Sequence, residues 1–164
     1  MSELETAKKR AMYLLGGKDY SRRELYDKLR EHYSEESAEK AVEQMVEYGY
    51  LDDGRYAARL ARQYIEGRKY GKKRARLMLL QKGFERETVD EALSRYSADE
   101  MTEALADLIE QKYADRLSLD GLEGRKEAQK VVAALARRGY GYGEIQSAIA
   151  LVRERAEERD EEDF

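Results

Sequence analysis

Gly49-Tyr50-Leu51-Asp52-Asp53-Gly54-Arg55-Tyr56-Ala57-Ala58-Arg59 opens a stretch that runs on through Arg68-Lys69-Tyr70-Gly71-Lys72-Lys73-Arg74-Ala75-Arg76 and closes on Leu79-Leu80-Gln81-Lys82-Gly83-Phe84. Its punctuation is that of helices. Asp52 or Asp53 suits an N-cap, and Tyr56, Ala57, Leu60, Ala61, Tyr64 and Ile65 then recur at helical spacing, with Gly67 as the stop. A second helix over residues 72–82 buries Ala75, Leu79 and one or more of Leu77, Met78 and Leu80, and Gly83 terminates it. A third helix places Val89, Ala92, Leu93 and Tyr96 inward.

The same three-helix phrase precedes and follows this stretch. Before it, residues 5–15 form a helix through Ala7, Ala11, Leu14 and Leu15, with Gly16-Gly17 as its end. Ser21 and Glu24 have the spacing of a capping box ahead of Leu25 and Leu29. Ala38, Ala41, Val42, Met45 and Val46 give a third stripe, which Gly49 ends in a left-handed conformation. After it, Ser97 and Glu100 open a long helix through Met101, Ala104, Leu105, Leu108 and Ile109. Residues 116–124, rich in Asp, Gly and Ser, read as a loop. Two more helices use Ala128, Val131, Val132 and Leu135, then Ile145, Ala148, Ile149 and Val152, with Gly139 between them. Ser21 aligns with Gly71 and Leu29 with Leu79, 50 residues apart. Gly83 aligns with Gly139 and Leu79 with Leu135, 56 residues apart. An internal repeat of this period signifies stacked modules, each too small to bury much alone. The expected fold is all-α: three tandem three-helix modules over residues 5–50, 51–96 and 97–153, stacked into an elongated, curved molecule. An acidic tail over residues 154–164 is expected to prolong the last helix briefly and then fray.

Composition agrees. The 164 residues include no Pro, no Trp and only two Phe, 40% are charged, and thirteen Tyr supply the aromatic bulk. Such a chain favours helix throughout. The absence of Cys excludes disulfides and thiolate metal sites. No stretch has the length and apolarity of a membrane span, and no apolar signal region opens the chain, so a cytoplasmic location without membrane contact is expected. Charge is segregated. Residues 54–86 hold eleven Lys and Arg against Glu66 and Glu85, a local +9 in a chain of net −4, leaving −13 elsewhere. Such a field draws a polyanion or an acidic protein face to one segment.

In order and spacing, Gly49-Tyr50-Leu51-Asp52-Asp53, Arg55-Tyr56-Ala57, Tyr70-Gly71 with bases at 72–74, and Leu79-x-x-Lys82-Gly83-Phe84 resemble the central signature of the RecX family. Tyr20-Ser21-Arg22-Arg23-Glu24-Leu25 with Lys28-Leu29 resembles its first element. The resemblance covers roughly residues 7–152. It implies a monomeric, non-enzymatic regulator that lies in the groove of the RecA–DNA filament, spanning protomers. There it would hinder strand exchange, ATP hydrolysis and co-protease activity, in the setting of recombination, DNA repair and the SOS response. Three modules are also what the resemblance implies. The signature residues Gly49, Leu51, Asp52, Asp53, Tyr56, Ala57, Gly71, Leu79 and Gly83 then carry structural duties.

The chemistry-bearing residues point the same way. His32 stands alone on a polar stretch and reads as a solvated or capping residue. Asp52-Asp53 has the composition of a Mg²⁺ pair, but no further acid recurs nearby, and capping is the preferred reading. No catalytic constellation, nucleotide fingerprint or cofactor motif occurs, so no enzyme activity and no cofactor are expected. Arg55, Arg59 and Arg62 recur at spacings that put them on one helix face. Arg68, Lys69, Lys72, Lys73, Arg74 and Arg76 surround the start of the next helix, whose free N–H groups would add positive potential. Gly71 would let a partner backbone approach. Tyr70 beside them would stack on a base, fill a partner pocket, or simply pack. These residues are the expected contact with the RecA filament, with single- and double-stranded DNA as further ligands. The alternative is a sequence-non-specific DNA-binding helical protein, whose affinity would fall steeply with salt.

Overall fold

The computed structural model describes residues 1–163, and every regular element among them is helical. Helix α1 spans Glu3–Gly17, α2 Arg22–Arg30, α3 Glu35–Glu47, α4 Asp53–Arg62, α5 Lys72–Gln81 and α6 Arg86–Leu93. Then follow α7 Ala98–Lys112, α8 Ala114–Leu117, α9 Gly121–Arg137 and α10 Tyr142–Glu162. A π-helical turn, Gln63–Gly67, finishes α4. The chain divides into two compact units: Met1–Arg62 with Arg76–Leu93, and Gln63–Ala75 with the residues from Ser94 onward.

In the first unit, α1, α2 and α3 close on Ala7, Ala11, Leu25, Leu29, Ala41, Val42 and Met45, with Leu51 beneath the following turn. Alanines on α1 and α3 let these two helices pack closely, and they share the most extensive contact within this bundle. Gly49, at φ +78°, reverses the chain after α3, and the amides of Tyr50 and Leu51 both donate to the Met45 carbonyl. Helix α4 packs on α6, and Tyr56 meets Phe84 edge-on at 5.5 Å. In the second unit α7 and α10 pair along their length. Met101, Leu105, Leu108 and Ile109 face Ile145, Ala148 and Ile149, and Val131 and Leu135 of α9 complete the core.

The helix starts follow the capping chemistry. The Ser2, Ser34 and Ser97 hydroxyls each accept from the amide three residues on. At Ser21 the box is reciprocal: its hydroxyl accepts from the Glu24 amide at 3.0 Å and its own amide donates to the Glu24 carboxylate at 2.9 Å. Ser21 is also fully buried, and its hydroxyl donates to the Lys82 carbonyl at 2.6 Å. This bond joins the first repeat to the turn that ends α5. Beside it Gly83 sits at φ +91°, and a Cβ there would stand 2.6 Å from Arg23 Cγ. Ser21→Ala should therefore cost about 1–3 kcal/mol, because it removes the partner of a partly buried carbonyl and a cap together. A urea melt followed by circular dichroism reads this directly. A loss under about 0.5 kcal/mol, the range of ordinary surface changes, would count against the joint.

Three expectations are corrected. Gly16 and Gly17 belong to α1, which ends only where Lys18 turns extended. A Cβ at either position would meet nothing within 4 Å, so neither glycine is demanded by a close neighbour. Residues 116–124 are not a continuous loop: α8 and the first turn of α9 occupy most of them, with Arg116 paired to Glu127 at 2.7 Å. The tail does not fray after a short extension, for α10 runs to Glu162. Arg155 pairs with Asp107 at 2.8 Å and Glu110 at 3.3 Å, and Arg159 with Glu110 at 3.2 Å, which ties the charged half of α10 to α7.

Candidate functional site

The basic segment between α4 and α5 is shaped by its backbone. The Arg68 amide donates to the Gln63 carbonyl at 2.9 Å, a π-type closure, and the Tyr70 amide to the Tyr64 carbonyl at 2.9 Å. Lys69 turns the chain at φ +59°, and it is the non-glycine residue at positive φ among those described. That conformation is held by three donors from the third repeat. Arg138 donates to the carbonyls of Arg68 and Lys69, the latter at 3.2 Å, and the Tyr140 hydroxyl donates to the Lys69 carbonyl at 2.9 Å. Burial pushes the Tyr140 phenol up to about 12, so it remains a donor at neutral pH. Left-handed backbone is costly for lysine, and these bonds offset the cost.

Gly71 completes the contact. Its amide donates to the Arg138 carbonyl at 2.8 Å and the Lys73 amide to the Gly139 carbonyl at 3.1 Å. Two of the donors at the start of α5 are thus engaged within the chain rather than turned to a partner. Gly71 does admit a close backbone, but the backbone is the chain's own: a Cβ would collide with Gly139 and stand 2.6 Å from the Tyr140 amide nitrogen. Tyr70 is packed against the guanidinium groups of Arg74, at 4.1 Å, and Arg138, at 5.6 Å. Lys72 donates to the Tyr96 carbonyl.

Of the predicted site residues in the second unit, the cations Arg68, Lys69, Lys73 and Arg74 stay outward, joined by exposed Arg137 at the end of α9. Sequence reasoning misses Arg137, Arg138 and Tyr140 as site residues. The signal for them lies in the alignment of Lys82-Gly83-Phe84 with Arg138-Gly139-Tyr140, which places equivalent turns at equivalent joints.

The first unit holds the remaining predicted cations. Arg59 pairs with Asp19 and lies 5.2 Å from the Tyr56 ring, and Arg76 pairs with Asp90. Arg55 and Arg62 are exposed on α4. A small, largely polar recess beside α4 is lined by Asp19, Tyr20, Tyr50, Asp52, Arg55 and Arg59. The acids Asp19 and Asp90 offset part of the positive field, although exposed pairs of this kind bind weakly. Asp52 accepts from the Arg55 amide at 3.0 Å and so caps α4. Asp53 accepts from the Arg22 amide at 2.9 Å, and burial raises its carboxyl above the usual range. Leu51, Ala57 and Leu79 are core. Among the described residues no three His, Asp or Glu side chains gather as metal ligands, and no helix is long and apolar enough to cross a membrane.

Comparison with known proteins gives a consistent result. Family models of the first, second and third three-helix domains of RecX match residues 7–45, 52–93 and 98–149. The regulatory protein RecX of Streptomyces lividans is 31% identical over 97% of this chain and 82% of that protein. That of Thermus thermophilus is 33% identical over 90% of this chain and 92% of its own length. The crystal structure of RecX from Lactobacillus salivarius superposes with a TM-score of 0.82 at 24% identity, covering 92% of this chain and 97% of that one, and shows the same fold. Three helical repeats, matched domain by domain and along most of the length of these relatives, place this chain in the RecX family of regulatory proteins.

Proposed function

We propose that this protein binds the RecA–DNA filament and inhibits its recombinase, ATPase and co-protease activities. The observation that carries the reading is the cation surface of the second unit. Arg68, Lys69, Lys73 and Arg137 come from two repeats and are exposed; Arg138 and Tyr140 bind the Arg68 and Lys69 carbonyls, and the Lys73 amide binds the Gly139 carbonyl. A rigid positive surface in a chain of net −4 favours a polyanionic assembly over other surfaces. Inhibition follows if the protein binds an inactive filament state better than the active one, or fills the space a second strand needs.

Reversing Lys72, Lys73 and Arg74 together is a poor test, because Lys72 holds the Tyr96 carbonyl and Arg74 packs on Tyr70. Lys73→Glu with Arg137→Glu changes two exposed cations instead. ATP hydrolysis by the cognate recombinase on single-stranded DNA should fall steeply at substoichiometric wild-type protein. The double variant, with unchanged helix content, should need about tenfold more protein for the same inhibition. Equal inhibition by the folded variant would remove this surface from the contact.

A further inference from the structure

The cation surface has an aromatic neighbour that neither the signature nor the charge pattern singles out. Helix α10 begins at Tyr142, directly after the Gly139-Tyr140-Gly141 turn that clasps Gly71 and Lys69. The Tyr142 side chain is 70% exposed. The Lys73 ammonium lies beside Gly141, 3.7 Å from where a Cβ would stand, so Tyr142 follows immediately on the residue that Lys73 reaches. The other tyrosines here are committed: Tyr64 and Tyr140 are buried, and Tyr70 packs against two arginines. Two carboxylates stand nearby and both are engaged. Glu144 accepts from the Gly141 amide at 3.3 Å, and Glu66 from the Tyr96 hydroxyl at 2.9 Å.

We infer that Tyr142, with Lys73 and Arg137, forms a contact for single-stranded nucleic acid, the ring stacking on a base while the cations pair with the flanking phosphates. The inference rests on reading this cluster as a polyanion contact and adds the chemistry of the strand. A protein partner would call for an apolar core within the surface, and here the apolar residues are turned inward while cations and one ring remain outside. A duplex would satisfy the cations but leave the ring without a base, since its bases are already stacked on each other. A single strand satisfies both, and every base has a face to offer. The clasp gives the contact its rigidity, because the Gly71 and Lys73 amides bind the Arg138 and Gly139 carbonyls just ahead of Tyr142, and Arg138 and Tyr140 bind the Lys69 carbonyl.

The test is fluorescence anisotropy of the full chain with labelled oligothymidylate, and with a duplex of the same length, over a range of salt. Tyr142→Ala should weaken single-strand binding about tenfold and leave duplex binding unchanged, whereas Tyr142→Phe retains wild-type affinity. Lys73→Gln and Arg137→Gln should each make the logarithmic salt dependence shallower by about 0.7, and Tyr142→Ala should not. Equal binding by Tyr142→Ala, or equal losses on duplex and single strand, overturns the inference. Recombinase hydrolysis is read separately. Wild-type protein that inhibits hydrolysis yet binds no oligothymidylate overturns this contact and leaves the filament reading standing. Protein that binds the strand through Tyr142 yet leaves hydrolysis untouched upholds the contact and overturns the filament reading.

Discussion

Gly71→Ala is expected to destabilise the protein by about 3 kcal/mol, more than its single added methyl group suggests. The new Cβ would meet the backbone of Gly139 and Tyr140, and backbone cannot move aside as the end of a long side chain can. Relief requires the turn at 138–140 to withdraw. Withdrawal breaks the Gly71 and Lys73 amide bonds to the Arg138 and Gly139 carbonyls and the Arg138 and Tyr140 bonds that hold Lys69 at positive φ. The thermal midpoint should fall by about 6–12 °C on the usual scaling for a chain of this size. Gly139→Ala approaches the same joint from the other side. It adds the strain of a side chain at φ +99° and a Cβ 2.5 Å from the Arg74 amide nitrogen. The control is Gly143→Ala, just beyond the joint in the first turn of α10, where a Cβ meets nothing within 4 Å. There alanine should stabilise by about 0.5–1 kcal/mol through helix propensity. If Gly71→Ala and Gly143→Ala melt together, the 71–139 contact is not what the geometry makes it.

This joint also explains what is legible in the sequence and what is not. Aligning the repeats pairs Ser21 with Gly71 and Gly83 with Gly139, a comparison of like with like. In the fold, Ser21 bonds to the carbonyl before Gly83, and Gly71 lies against Gly139. The two alignments are the two halves of one joint used twice, with a hydroxyl in the first copy and a backbone amide in the second. Periodicity locates helices and caps because those are local properties, and Ala38, Ala41, Val42 and Met45, or Met101, Leu105 and Ile109, are buried as their spacing demands. It cannot say which turn meets which helix start about 60–70 residues away. For the same reason the sequence points Gly71 outward, toward a partner, when its neighbour is internal. Charge counting likewise cannot separate Arg59 and Arg76, paired with Asp19 and Asp90, from exposed Lys73. Nor can it find Arg137, which sequence distance hides. The helical tail escapes a local reading because its anchors, Asp107 and Glu110, lie on another helix.

Leu79→Ala should cost about 2–5 kcal/mol, and Leu29→Ala and Leu135→Ala should fall in the same range. Each of the three is fully buried on its own repeat's equivalent helix: α2, α5 and α9. The size of the loss follows from what alanine leaves behind. Three carbon atoms and their contacts disappear, and around Leu29, for one, the core includes short residues such as Ala38 and Ala41 that cannot swing into the space. The contrast lies two residues away on α5. Leu77 is 57% exposed, and Leu77→Ala should stay within about 0.5 kcal/mol, since the lost burial is small and alanine is the better helix former. The pair shares a helix, a residue type and a substitution and differs only in facing, so their difference isolates the burial term. Urea denaturation followed by circular dichroism gives both values. A Leu79→Ala loss no larger than that of Leu77→Ala would mean that α5 does not present this face to the core, and the register of the whole second repeat would have to be redrawn. A large loss at Leu79 with small losses at Leu29 and Leu135 would instead mean that the repeats, alike in sequence, do not share their load alike.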